Sequence, residues 1–141
     1  MPYVAELVQN VFILRWQGAQ LGDPASLMER VRAAKSESNG PLVYLAIVPS
    51  ADPLPDQPLR AELARQLKEL TELCACVHLV LEGSGFGAAA KRAVATSMFL
   101  MTGRHRRVTA HATVHEALCS CRNLTAPAAQ ILASEAAVLT G

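Results

Sequence analysis

The sequence predicts an α/β domain built on a five-stranded, mixed but mostly parallel sheet with helices packed on it. Residues 42–48 form an apolar run without alternation between Pro41 and Pro49, which is typical of a strand buried on both faces. Residues 77–81 form a second apolar run, which passes through a Gly-rich loop at 83–87 into a helical pattern. A strand that leads through a short loop into a helix indicates βαβ units.

Length and composition bound the class of protein. The 141 residues, 51% of them hydrophobic, suit one domain with its own core and exclude disorder. A net charge of +1 gives no electrostatic argument for nucleic acid or an anionic membrane as partner. No signal peptide is visible, and no run approaches the ~20 apolar residues that span a bilayer. We therefore expect a cytoplasmic protein without membrane insertion, whose four cysteines are reduced.

The first two strands are predicted to form an antiparallel hairpin at the edge of the sheet. Residues 3–8 and 11–16 are joined by only two residues, 9–10, whereas helix-length crossovers separate all later strands. Glu6 and Arg15 are expected to mark partly exposed faces of this hairpin.

Helical periodicity places the helices between the strands. The first is predicted to be capped by Asp23 or Ser26, to end at 39–40 and to bury Leu27, Val31 and Ala34. The second follows a loop with four prolines in residues 49–58, with Asp56 as its N-cap and a leucine stripe at Leu59, Leu63, Leu67, Leu70 and Leu73.

The third helix is predicted to bury a stripe that includes Phe86, Ala90, Val94, Met98 and Met101 and to stop at Gly103. A fifth strand at 108–112 and a fourth helix carrying Val114, Ala117, Leu118 and Cys121 complete a domain over residues 1–122. Residues 123–141 are predicted to be a C-terminal helical extension. Its apolar face either closes the core of the domain or packs on a second subunit, which would make the protein a homodimer.

This order of elements over about residues 3–122 resembles the STAS domain, the fold of bacterial anti-sigma-factor antagonists. Residues 11–18 look like the second strand of that family, and residues 107–118 look like its last strand and the Glu-Ala-Leu entry of the following helix. The resemblance implies a non-catalytic regulatory module in bacterial-type signalling that acts by protein–protein interaction, with a signalling regulator as partner.

The chain departs from the STAS pattern at the start of the second helix. There the family carries Asp-Ser-Ser-Gly, with a serine that is phosphorylated, whereas this chain has residues 56–59, Asp-Gln-Pro-Leu. We therefore do not expect the phosphorylation switch. The resemblance still places the partner contact at this loop, and a stiff loop loses little entropy on binding. The predicted partner-binding residues are Leu54, Asp56, Gln57 and Leu59.

The Gly-rich loop offers an alternative function as a nucleotide or small-molecule sensor. Backbone amides around Gly83, Ser84 and Gly85 can face a phosphate at a helix N-terminus, with Lys91 and Arg92 one turn later. A tight turn capped by Ser84 explains the same residues, and Gly-x-Gly-x-Gly alone is a weak signal.

No catalytic residue, cofactor or metal is expected. An enzymatic alternative would bring Glu82 and Asp56 together with His111 or His115 for acid–base chemistry. The cysteines form two Cys-x-Cys pairs, at 74 and 76 and at 119 and 121, at the amino end of the sheet. Four thiolates can hold zinc, but buried packing thiols are the expected state.

Overall fold

A computed structural model of the protein describes residues 2–38, 40–101, 107–121 and 128–140. In chain order, the elements are β1 (Tyr3–Val8), β2 (Val11–Trp16), α1 (Asp23–Glu37), β3 (Val43–Val48), α2 (Gln57–Leu73), β4 (Cys76–Leu81), α3 (Gly85–Met101), β5 (Val108–His111), α4 (Val114–Ser120) and α5 (Ala128–Thr140). None of the helices within these residues is long and apolar enough to cross a membrane.

The five strands form one sheet in the order β1-β2-β3-β4-β5. β1 pairs antiparallel with β2, and every other pair is parallel. This confirms the predicted α/β class and the hairpin at one edge. Because β2 to β5 are parallel, the loops that follow β2, β3 and β4 all meet at the carboxyl edge of the sheet.

Apolar side chains form two cores, one on each face of the sheet. α1, α2 and α3 pack on one face, where Leu27, Val31 and Leu70 are buried. α4 and α5 pack on the other face, where Leu118 and Ile131 are buried against strand residues. The central strands are therefore covered on both sides, which explains their continuous apolar sequence.

The second helix begins as predicted. The carboxylate of Asp56 accepts a hydrogen bond of 3.0 Å from the Leu59 amide, the usual geometry of an N-cap. The first helix begins differently, because its N-cap is Gly22, with φ 95°, rather than Asp23 or Ser26. Its C-cap is Ser38, and the predicted stop at Asn39 lies outside the described residues.

The predicted buried stripe of α3 is wrong at its first residue. The side chain of Phe86 is 97% exposed, and Ala90, Val94 and Met98 are half-buried. The buried residues of the helix are Ala88, Ala95 and Phe99. Phe86 lies about 200° around the helix from Ala88, so it faces away from the core. Met101 and Gly103 belong to the same prediction. The side chain of Met101 is not described, and Gly103 lies outside the described residues.

Candidate interaction site at the carboxyl edge of the sheet

Three loops form the carboxyl edge, which we define as residues 17–22, 49–56 and 82–84 together with the first turn of α3. The Gly18 amide donates to Asp52 Oδ2 at 3.3 Å and thereby joins the first loop to the second. The Glu82 amide donates to the Val48 carbonyl at 3.1 Å, next to the start of the Pro-rich loop. These bonds link loops that are distant in sequence.

Lys91 holds the Pro-rich loop against α3. Its ammonium donates to the carbonyls of Pro49 and Ser50, each at 3.0 Å. Gly83 approaches the same loop so closely that a Cβ placed on it would lie 2.8 Å from Ser50 Cβ. With φ +103° as well, residue 83 requires glycine for both space and conformation.

Large apolar side chains are exposed on this edge. Leu21, Leu54 and Phe86 are 65%, 44% and 97% exposed, respectively. Of the three, only Leu54 is a predicted partner-binding residue. The sequence signal that could have identified Phe86 is its position between Gly85 and Gly87 at a helix start.

The four predicted partner-binding residues differ in their exposure to solvent. Leu54 and Asp56 are exposed at the carboxyl edge, and Gln57 is exposed directly after it, at the start of α2. Leu59 is only 8% exposed and faces the interior. The carboxylate of Asp56 is already engaged as the cap of α2. Contact of these residues with a partner stays a prediction, and Leu54 is the member best placed for it.

The two cationic side chains next to the Gly-rich loop, those of Lys91 and Arg92, already donate hydrogen bonds to backbone carbonyls. Gly83 and Gly85 have positive φ angles and form the turn into α3, with the exposed Ser84 between them. Lys91 donates to the Pro-rich loop, and Arg92 donates to the Gly83 carbonyl at 3.4 Å. A phosphate would have to compete with these contacts, so the geometry does not favour the nucleotide alternative.

A cavity of about 290 Å³ opens beneath the Pro-rich loop. Leu54, Pro53 and Pro55 line it from the Pro-rich loop, and Leu63, Val94 and Met98 belong to its helical walls. The remaining wall comes from the sheet. Most of its lining is apolar, and the few charged groups are Asp52, Asp56 and Lys91. A concave, mostly apolar space of this size is typical of small-molecule sites.

Arg15 lies buried close to this edge, on the face covered by α5. Its guanidinium donates to Glu82 Oε1 and Oε2 at 2.7 and 3.2 Å and to Glu135 Oε1 at 3.1 Å. Burial alone would lower the pKa of Arg15, but the bonds and charges of the two carboxylates outweigh it and raise that pKa. The expectation that Arg15 marks a partly exposed face is wrong, because it is 7% exposed.

The residues of the enzymatic alternative have separate partners. Glu82 binds Arg15, Asp56 caps α2, and His115 Nε2 lies 3.6 Å from Cys119 Sγ. His111 Nε2 lies 2.9 Å from Thr109 Oγ1. Burial first, and then the neighbouring His78, lower the pKa of His111, while Glu116 opposes them. We see no shared acid–base centre among these described groups.

The four cysteines of the two Cys-x-Cys pairs lie in different environments. Cys74 is 2% exposed within the core beneath α1, α2 and α3, and burial raises the pKa of its thiol to about 12, with Lys35 opposing. Cys119 is exposed. Cys76 and Cys121 pack on the face covered by α4 and α5. The four thiols therefore do not form one cluster.

Comparison of the chain with protein-family models, with curated proteins and with solved structures found no match in any of the three.

Proposed function

We propose that this protein is a non-catalytic, STAS-like regulatory module of the cytoplasm that binds a protein partner through its carboxyl edge. One observation carries the proposal. Five large apolar side chains are exposed in the described part of the chain, and three of them, Leu21, Leu54 and Phe86, lie at this edge. Grouped apolar exposure is typical of interaction surfaces.

The chemistry of the surface supports a protein partner. Aromatic side chains, phenylalanine included, are enriched in the cores of interfaces, and almost the whole surface of Phe86 is available to a partner. The surrounding loops are held by Lys91 and by the close approach of Gly83 to Ser50. A surface that is already ordered loses little conformational entropy on binding.

Replacement of Phe86 by alanine is expected to weaken the partner complex by ~1–2 kcal/mol, as for loss of a buried large side chain. The unfolding midpoint should not fall, because Phe86 contributes almost no buried surface to the fold. Partners would be captured from the native cytoplasm and identified by mass spectrometry. The affinity of each purified pair would then be measured by calorimetry.

Leu100→Ala is the matched control, because Leu100 is 64% exposed on the same helix but at its opposite end. Leu54→Ala should weaken the same complex with a small loss of stability, since Leu54 also lines the cavity. Equal retention of every captured protein by the Phe86 and Leu100 variants would contradict the proposal.

The cavity favours a second candidate function, the sensing of a small apolar molecule. Such a ligand would lie between α2 and α3 under the Pro-rich loop and could change the partner surface above it. Val94→Phe would fill part of the space, and Ala93→Phe would place the same side chain on the exposed side of the helix.

We expect a fluorescent apolar probe to bind the protein with one site per chain. Val94→Phe should weaken its binding by about tenfold or more, which corresponds to roughly 1.4 kcal/mol, whereas Ala93→Phe should not. Fluorescence titration measures both affinities. Equal probe binding by the two variants would show that the cavity is not the site.

A further inference from the structure

Two sulfur atoms and an imidazole meet near the amino end of β4. The Sγ atoms of Cys76 and Cys121 and a ring nitrogen of His78 all lie within 4.8 Å of one another. Cys76 and His78 are two positions apart on β4, so they project to the same face of the sheet. Cys121 directly follows α4, which packs on that face. Thiolate sulfur and imidazole nitrogen are typical ligands of zinc.

One ring nitrogen of His78 has no hydrogen-bond partner in the part of the chain that the structure describes. His78 is 3% exposed, and its Nδ1 lies 2.8 Å from Thr109 Oγ1 and 3.1 Å from His111 Nε2. Its Nε2 is also buried and has no hydrogen-bond partner among the described residues. A buried nitrogen without a partner costs free energy, and a metal ion bound there would remove that cost.

We propose that Cys76, His78 and Cys121 bind a zinc ion through two Sγ atoms and Nε2, with the fourth position open to water. With Zn–S near 2.3 Å and Zn–N near 2.0 Å, tetrahedral ligand atoms stand about 3.5–3.8 Å apart. Small side-chain rotations bring the three atoms from within 4.8 Å to that spacing. Each thiol that is protonated gives its proton to solvent when the metal binds.

The surroundings of His78 suit a ligand. Metal-bound histidines usually donate their second ring N–H to a neighbouring acceptor, which fixes the ring. Thr109 Oγ1 and His111 Nε2 stand at that position for Nδ1. Nε2 of His78 is therefore left for coordination, while Thr109 and His111 support the ring at Nδ1.

This ligand set differs from the four-thiolate set considered from the sequence, and from the expectation of no metal. Cys74 packs in the core on the opposite face, and Cys119 lies beside His115. The relevant sequence signal is Cys76-x-His78, in which alternation along a strand brings the two side chains together.

The test titrates the reduced full chain with Co²⁺ in the presence of a non-coordinating phosphine reductant. We expect one cobalt per chain, a thiolate-to-cobalt charge-transfer band, d–d bands of tetrahedral intensity, and displacement by Zn²⁺. Cys76→Ser, Cys121→Ser and His78→Gln should each weaken binding by ~100-fold or more, beyond the ~10–100-fold typical of outer groups. His78→Gln keeps an amide that can bond to Thr109, and circular dichroism verifies that each variant is folded.

Cys119→Ser is the matched control, because it removes an exposed thiol two residues from Cys121 and should leave the cobalt spectrum and affinity unchanged. Absence of the charge-transfer band in the intact chain would overturn the proposal. Binding that survives Cys121→Ser but is lost in Cys119→Ser would overturn it too. So would a reduced chain that binds no cobalt and, after oxidation, forms a Cys76–Cys121 disulfide.

Discussion

Replacement of Ile131 by alanine is expected to lower the free energy of unfolding by about 3 kcal/mol, within the ~2–5 kcal/mol typical of deleting a buried isoleucine side chain. Ile131 is fully buried and, among the described side chains of α5, is the one that belongs to the core beneath α4 and α5. Its loss leaves a cavity against central strands that cannot collapse freely. α5 therefore contributes to the core of the domain on this face of the sheet.

Guanidinium unfolding followed by the fluorescence of Trp16, the single tryptophan, measures this effect. Trp16 is 6% exposed on β2 and reports on the sheet. Leu132→Ala is the control, since Leu132 is 40% exposed on the same helix and should cost below ~1 kcal/mol. Equal and small losses in both variants would mean that α5 does not stabilise the sheet.

The sequence predicts the fold well where local patterns and burial agree. The run at 42–48 is apolar on both faces because helices cover both sides of β3, and the short 9–10 connection allows only a hairpin. Asp56 caps α2 as its position predicts, because a cap depends on bonds made within one turn. The hairpin and the cap depend on neighbours that are close in sequence.

The errors arise where the decisive neighbour is distant in sequence. The charge of Arg15 predicts a partly exposed side chain. Its guanidinium is buried because it donates hydrogen bonds to carboxylates 67 and 120 residues away in the sequence. Periodicity assigns Phe86 to the core, but the buried face of α3 is the opposite one, which carries Ala88, Ala95 and Phe99. His78 lies near two cysteines because α4 places Cys121 close to β4, the strand that carries Cys76 and His78. Side-chain pairs of this kind require the three-dimensional arrangement.

Glu82→Gln is expected to lower the free energy of unfolding by ~2–3 kcal/mol. Removing one partner of a buried ion pair typically costs ~3–5 kcal/mol because it leaves a charge without compensation. We expect less because the Glu82 side chain is 36% exposed and water can reorganise around it. The remaining carboxylate of Glu135 also retains part of the attraction to Arg15.

The matched control is Glu69→Gln, which removes the same charge from another bidentate pair. Arg32 donates to Glu69 at 2.8 and 2.9 Å between α1 and α2. The two pairs differ in the exposure of the arginine side chain, which is 51% for Arg32 and 8% for Arg15. A pair with an exposed arginine contributes only ~0–1 kcal/mol, and added salt should weaken it further.

Chemical denaturation of both variants at low and high salt decides between burial and bond geometry as the source of the effect. If Glu82→Gln costs no more than Glu69→Gln, the guanidinium of Arg15 is solvated in solution and α5 is not held by it. If Glu82→Gln costs several times more and is insensitive to salt, then burial sets the energy. We expect the second result, because Arg15 connects β2, the end of β4 and α5 through one nearly dry guanidinium.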